Sequence, residues 1–125
     1  MTEDDISRHV LQAALTIHRR LGPGLLESVY EELLAYELAK RELMFTRQEA
    51  IPLRYDALSM SIAFRADIVV EHKVIVELKA VETVLPVHKK QLLTYLRLTG
   101  LRLGLLINFN VPLLKDGFSR IVNGL

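Results

Sequence analysis

Four charged residues in two neighbouring apolar runs carry the clearest chemistry in the sequence: Arg65 and Asp67 in the first, Glu77 and Lys79 in the second. Between the runs lies Glu71-His72-Lys73, a polar break that reads as a hairpin loop, although it lacks the glycine a tight turn favours. With that loop, Val70 faces Val74, Ile68 faces Val76 and Ala66 faces Leu78, giving a uniformly apolar face. The other face pairs Val69 with Ile75, Asp67 with Glu77 and Arg65 with Lys79. A slip of one residue would mix the faces, so the pattern selects this register.

Two carboxylates placed directly opposite, with Cβ atoms roughly 5 Å apart, repel unless something positive lies between them. A hard divalent cation such as Mg2+ or Mn2+ takes oxygen ligands and is well served by two carboxylates. Lys79 projects from the same strand face as Glu77, where it can hold a water and offset charge on a phosphate. The quartet also has a plainer reading. Arg65–Glu77 and Asp67–Lys79 are diagonal opposite-charge pairs, which would form a solvated salt-bridge ladder. Pattern alone leaves both readings open.

The elements that must position these groups follow from periodicity. Thr2, with Asp5 three residues on, reads as the N-cap pair of a helix over residues 3–21. Along it Ile6, Val10, Ala13, Ala14, Ile17 and Leu21 recur at helical spacing, and Gly22-Pro23-Gly24 breaks it. A second helix is predicted over residues 25–41, with Leu26, Val29, Tyr30, Leu33 and Leu34 as its buried stripe. Residues 45–55 read as a strand that Pro52 places at an edge or a bulge. Residues 56–59 are turn-like, and Ile62, Phe64, Ala66, Ile68 and Val70 then alternate along a second strand. Residues 74–79 form the third. Pro86 opens a helix to Thr99, stopped by Gly100, with Leu92, Leu93 and Leu96 toward the core. Residues 103–109 are almost wholly apolar, as a strand covered on both faces should be, and a short element is expected over 118–122. The order α-α-β-β-β-α-β predicts an α/β (α+β) domain with a mixed sheet. Its first three strands should run antiparallel and its third and fourth parallel, through a right-handed crossover.

Composition narrows the partners. A chain of 125 residues has room for one domain, spanning 1–125, and half its residues are apolar, which excludes global disorder. The formal net charge of +1 excludes a protein that binds nucleic acid by bulk charge. There is no cysteine, so disulfides, thiol catalysis and cysteine zinc sites drop out and a reducing compartment fits. The acidic N-terminus is unlike a secretory signal, and the apolar runs, about five residues long, fall far short of a membrane span. A cytoplasmic chain without membrane contact is expected.

Asp67 followed by Glu77-Leu78-Lys79 resembles the Asp…Glu-x-Lys signature of the PD-(D/E)XK nuclease superfamily. Gly24-Leu25-Leu26-Glu27-Ser28-Val29-Tyr30 is similar to the motif that names the GxxExxY protein family, a prokaryotic branch of that superfamily. Phe64-Arg65-Ala66-Asp67, Pro86-Val87-His88, Gln91-Leu92-Leu93-Thr94-Tyr95-Leu96 and Gly104-Leu105-Leu106-Ile107-Asn108-Phe109 extend the likeness over nearly the whole chain. The resemblance implies a restriction-endonuclease-like α-β-β-β-α-β core and Mg2+- or Mn2+-dependent hydrolysis of DNA phosphodiester bonds. It makes Asp67, Glu77 and the Leu78 carbonyl metal ligands, gives Lys79 the attacking water, and sets Glu27 as the acid of the preceding helix. Gln91 and Tyr95 match a Gln-xxx-Tyr element that supports such sites. Ala66 stands where the superfamily's name has proline.

Each of these residues also has a plainer reading. Glu27 in a first helical turn is favoured by the helix dipole, and Gln91 and Tyr95 can be the solvated side of an amphipathic helix. His88 and Lys89-Lys90 share the neighbourhood of Gln91 and are candidate phosphate contacts. Tyr30 is expected to pack in the core or bond the site, and His18, near a helix end, to be favoured by the helix dipole or exposed. The four histidines are scattered without metal-ligand spacing, which argues against zinc. Against the nuclease stands an alternative, a nucleic-acid-binding or complex-forming module whose catalysis is vestigial or partner-dependent. A homodimer or a protein partner fits either.

Overall fold

The computed structural model describes all residues, 1–125. Its elements are α1 (Glu3–Leu21), α2 (Glu27–Lys40), β1 (Phe45–Tyr55), β2 (Leu58–Val70), β3 (Val74–Lys79), α3 (Pro86–Thr99), β4 (Leu103–Asn108), a 3-10 turn (Leu114–Asp116) and β5 (Phe118–Val122). The strands form one sheet in the order β1-β2-β3-β4-β5. β3 and β4 run parallel on either side of the α3 crossover, and every other neighbouring pair is antiparallel. The expected α-β-β-β-α-β core is present, and the tail element joins it as an edge strand. No helix is long and apolar enough to cross a membrane.

The Thr2–Asp5 capping box forms in both directions, and Gly22 ends α1 at φ 69°. α1 and α2 cover one face of the sheet, where Ile6, Val10, Ile17, Tyr30, Leu34 and Leu38 pack on Ile68, Val76, Leu78, Leu105 and Ile107. α3 covers the other face through Leu92 and Leu96 against Val69, Ile75 and Leu106. β4, sandwiched between these layers, is buried along its whole length. Gly104 lets α3 come this close: a Cβ there would lie 2.8 Å from the Leu92 side chain.

Several expectations need correcting. α2 begins at Glu27, so Leu26 precedes the helix and is 71% exposed, and Val29, about 100° round the helix from Tyr30, is also exposed. The stripe that buries is Tyr30, Leu34 and Leu38. Leu93 is only half-buried. The first hairpin turns in two residues, Asp56-Ala57, with Asp56 at φ 53°, so β2 starts four residues earlier than the alternating run. β1 is indeed an edge strand, and its register shifts between Ile51 and Leu53, on either side of Pro52. His18 sits in the last turn of α1, as the helix-dipole reading has it, but is buried rather than exposed, its Nε2 2.8 Å from the Val111 carbonyl.

Candidate active site

β2 and β3 pair in the register expected from the sequence, Val70 with Val74, Val69 with Ile75 and Ile68 with Val76. Glu71 and His72 turn the chain at φ 53° and 54° without glycine. Beyond Ile68 and Val76 the ladder stops, although both strands continue. Ala66 was expected on the face of Ile68 and Val70. It packs instead with Val69 and Leu92 under α3, while Ile68 and Val70 pack under α1 and α2. The alternation of β2 therefore changes phase at Asp67.

That change brings the Asp67 carboxylate to the gap between the strands. Its Oδ2 accepts the Leu78 N–H at 2.9 Å, a hydrogen bond the neighbouring strand would otherwise supply. Asp67 thereby stands between two clefts. One, about 230 Å3 in volume, is lined by Glu27, Arg65, Asp67, Glu77, Lys79, His88, Gln91, Tyr95, Leu92 and Leu106. The other, toward α2, holds Glu27, Glu31, Arg47, Gln48 and Asp67. Most of the expected site residues thus converge: Glu27 from the first turn of α2, Asp67 from β2, Glu77 and Lys79 from β3, and His88, Gln91 and Tyr95 from α3. Lys89 and Lys90 lie exposed on α3, outside the lining of the cleft. The Leu78 side chain is buried in the core, leaving its backbone as what it offers the site.

The salt-bridge ladder does not form. The ion pairs of the molecule involve other groups, and none joins Arg65 or Lys79 to Asp67 or Glu77. Arg65 instead donates to the Gln48 carbonyl at 3.3 Å. Glu77 Oε1 is buried with no hydrogen-bond partner. Burial, followed by the adjacent Asp67 carboxylate, pushes the Glu77 carboxyl up to about 9, and the Lys79 charge only partly offsets this. An orphaned buried carboxylate oxygen beside a second carboxylate is a donor set that suits a hard divalent cation. No group of three or more acidic or histidine side chains is gathered tightly enough to hold an ion on its own. Asp67 and Glu77 are the carboxylates from the β2–β3 hairpin that line the cleft.

On α3, the Tyr95 ring stacks on Phe64 of β2, with centroids 3.5 Å apart, which ties the helix to the strand carrying Asp67. Burial and then the Glu77 and Asp67 charges raise the Tyr95 hydroxyl above its ordinary range. His88 Nδ1 accepts the Leu85 N–H at 3.1 Å, and its side chain lines the cleft. Tyr30 is structural: its hydroxyl donates to the Gly22 carbonyl at 2.6 Å and accepts the Leu25 N–H, and its ring stacks on Phe109. It fixes the turn that delivers Glu27.

Sequence reasoning missed a polar group behind Asp67. Gln48 Nε2 donates to Asp67 Oδ1 at 3.2 Å and to Glu31 Oε1 at 2.6 Å, and Arg47 holds Glu31 at 2.9 Å. Glu31, one turn after Glu27, was the available signal; nothing in the alternation of β1 marked Gln48.

A family model of the PD-(D/E)XK nuclease superfamily matches residues 4–121. No curated protein and no solved structure matches the chain.

Proposed function

The chain belongs to the PD-(D/E)XK nuclease superfamily, and from that premise we propose that it is a divalent-metal-dependent nuclease that hydrolyses DNA phosphodiester bonds. The observation that carries this reading is the convergence of Asp67, Glu77 and Lys79 in one cleft with the Glu77 Oε1 left unpartnered. Lys79 offsets the two carboxylates only in part, and no ion pair joins either of them to a cation of the chain. The Gly24…Glu27…Tyr30 motif supports placing the chain in the GxxExxY branch, and a cysteine-free chain fits work in the cytoplasm.

Asp67, Glu77 and the Leu78 carbonyl would hold Mg2+ or Mn2+. A bound divalent cation supplies Lewis-acid stabilisation of the charge that builds on the scissile phosphate. Lys79, on the Glu77 face of β3, orients the attacking water with an ammonium that cannot itself ligate a metal. Glu27 adds a carboxylate at the cleft rim. Gln91 and the Tyr95 hydroxyl line the wall above Glu77, and His88 Nε2 and Arg65 offer donors to the backbone of the nucleic acid. Lys89 and Lys90 extend the positive charge outward along α3.

Plasmid cleavage in Mg2+ by the wild type and by Asp67→Ala tests the proposal. Wild-type cleavage that the variant loses supports it. DNA binding without cleavage by the wild type would instead favour the nucleic-acid-binding module.

A further inference from the structure

Gln48 adopts φ 50°, a left-handed conformation unusual for a residue other than glycine, asparagine or aspartate. Arg47 pairs with Ile68 and Glu49 with Ala66, but Gln48 and Asp67 between them are missing from the ladder. The kink therefore sits opposite Asp67, where β2 changes phase. Backbone held in such a sparsely populated conformation clusters at functional sites and persists only where its surroundings hold it. Here the surroundings are specific. The Arg65 guanidinium donates to the Gln48 carbonyl, while the Gln48 amide uses both its hydrogens, one on Glu31 and one on Asp67. Glu31 is 8% exposed and clamped by Arg47 through Nε and Nη2.

Resting on the reading of Asp67 as a cation ligand, we propose that Gln48 is a positioning residue that fixes the Asp67 carboxylate for the ion, at the expense of its own backbone conformation. With Oδ1 on Gln48 and Oδ2 on the Leu78 N–H, the carboxylate has one orientation, and each oxygen keeps a lone pair free. If the kink served the strand alone, asparagine or glycine would suit φ 50° better. Glutamine brings the reach. Asparagine, one methylene shorter, would relieve the backbone and surrender the contact.

Mn2+ binding by calorimetry and metal-free thermal unfolding, measured on the wild type, Gln48→Asn, Gln48→Gly and Asp67→Ala, separate the roles. Both Gln48 variants should unfold at or above the wild-type temperature yet bind Mn2+ roughly 10- to 100-fold more weakly, the range seen when a partner of a metal ligand is removed. A folded Gln48→Asn that binds Mn2+ as the wild type does, while Asp67→Ala does not bind, overturns the positioning role and leaves the metal site standing. Unfolding of both Gln48 variants assigns the residue to the fold and also overturns it. A wild type that binds no Mn2+ overturns the metal site itself, and the positioning role with it.

Discussion

At its closed end the β2–β3 hairpin is a regular antiparallel pair: Val70 faces Val74, Val69 faces Ile75, Ile68 faces Val76, and all six side chains are buried. One residue further along, at Asp67 and Glu77, the ladder has stopped, the alternation has changed phase and the side chains are charged. The closed end follows the hydrophobic rule, in which each side chain goes to whichever layer is apolar. The open end breaks three rules together: it loses backbone pairing, it places two carboxyl groups side by side, and it leaves Glu77 Oε1 buried without a partner. Such costs are of order 1–3 kcal/mol for a single unsatisfied polar group. On the function proposed above, a divalent cation would complete the arrangement.

The largest effect should come from attacking the open end directly. Asp67→Ala should leave the protein folded but lower cleavage by about 1000-fold or more and abolish Mg2+ binding, because it removes a ligand and the Leu78 N–H acceptor together. Cleavage and calorimetry on one preparation test both. Retained Mg2+ affinity would remove Asp67 from the site.

The closed end should answer in the opposite currency. Ile68→Ala deletes a fully buried side chain in the main core, which costs about 2–5 kcal/mol. Urea unfolding should show this loss, while the surviving folded fraction binds Mg2+ with wild-type affinity. A large loss of affinity at unchanged stability would mean that the two ends are not separable.

Lys79→Ala should split the open end itself. The ammonium is no metal ligand, and it partly offsets the Glu77–Asp67 repulsion rather than bonding either group. Mg2+ affinity should therefore hold or rise slightly, while turnover falls by about 100-fold, as with other positioned catalytic donors. Equal cleavage by the two proteins would exclude Lys79 from catalysis.

The same contrast explains what could be read from the chain. The Thr2–Asp5 cap, the Pro52 irregularity, the double-sided burial of β4 and the closed-end register are local or periodic, and periodicity is visible in residue types. Asp67, Glu77 and Lys79 were visible because three charges in apolar strands contradict that periodicity. Gln48 was not. Its role depends on a positive φ, on Glu31 arriving from α2 and on a phase change in the partner strand, none of which leaves a mark on the alternation of β1. Leu26 and Val29 misled for the converse reason: both fit an apolar helical spacing, but Leu26 lies before the helix and Val29 falls outside the stripe that faces the sheet.

Protons offer the finest probe of the comparison. Glu77 has an ordinary carboxyl value of 4.5 when unfolded and about 9 when folded, chiefly through burial and then the Asp67 carboxylate. Between these values the folded state binds the extra proton, so the contribution of Glu77 to stability is complete below pH 4.5 and is lost as pH rises toward 9. At pH 7 the accumulated cost is at most about 3 kcal/mol, from 1.36 kcal/mol for each pH unit. Glu77→Gln keeps the shape and cannot ionise, so without divalent cations it should be about 1–3 kcal/mol more stable than the wild type at pH 8 and equal to it near pH 4.5. The difference between the two proteins isolates Glu77, since every other titrating group is common to both. Mg2+ at pH 8 should close the gap by stabilising the wild type, whose ionised carboxylate then has its counter-charge, and should leave Glu77→Gln nearly unmoved. Denaturant unfolding in EDTA and in Mg2+ across pH 5–9 measures all of this. Parallel pH profiles for the two proteins would mean that Glu77 already has its partner within the chain, and the open end would then be as self-sufficient as the closed one.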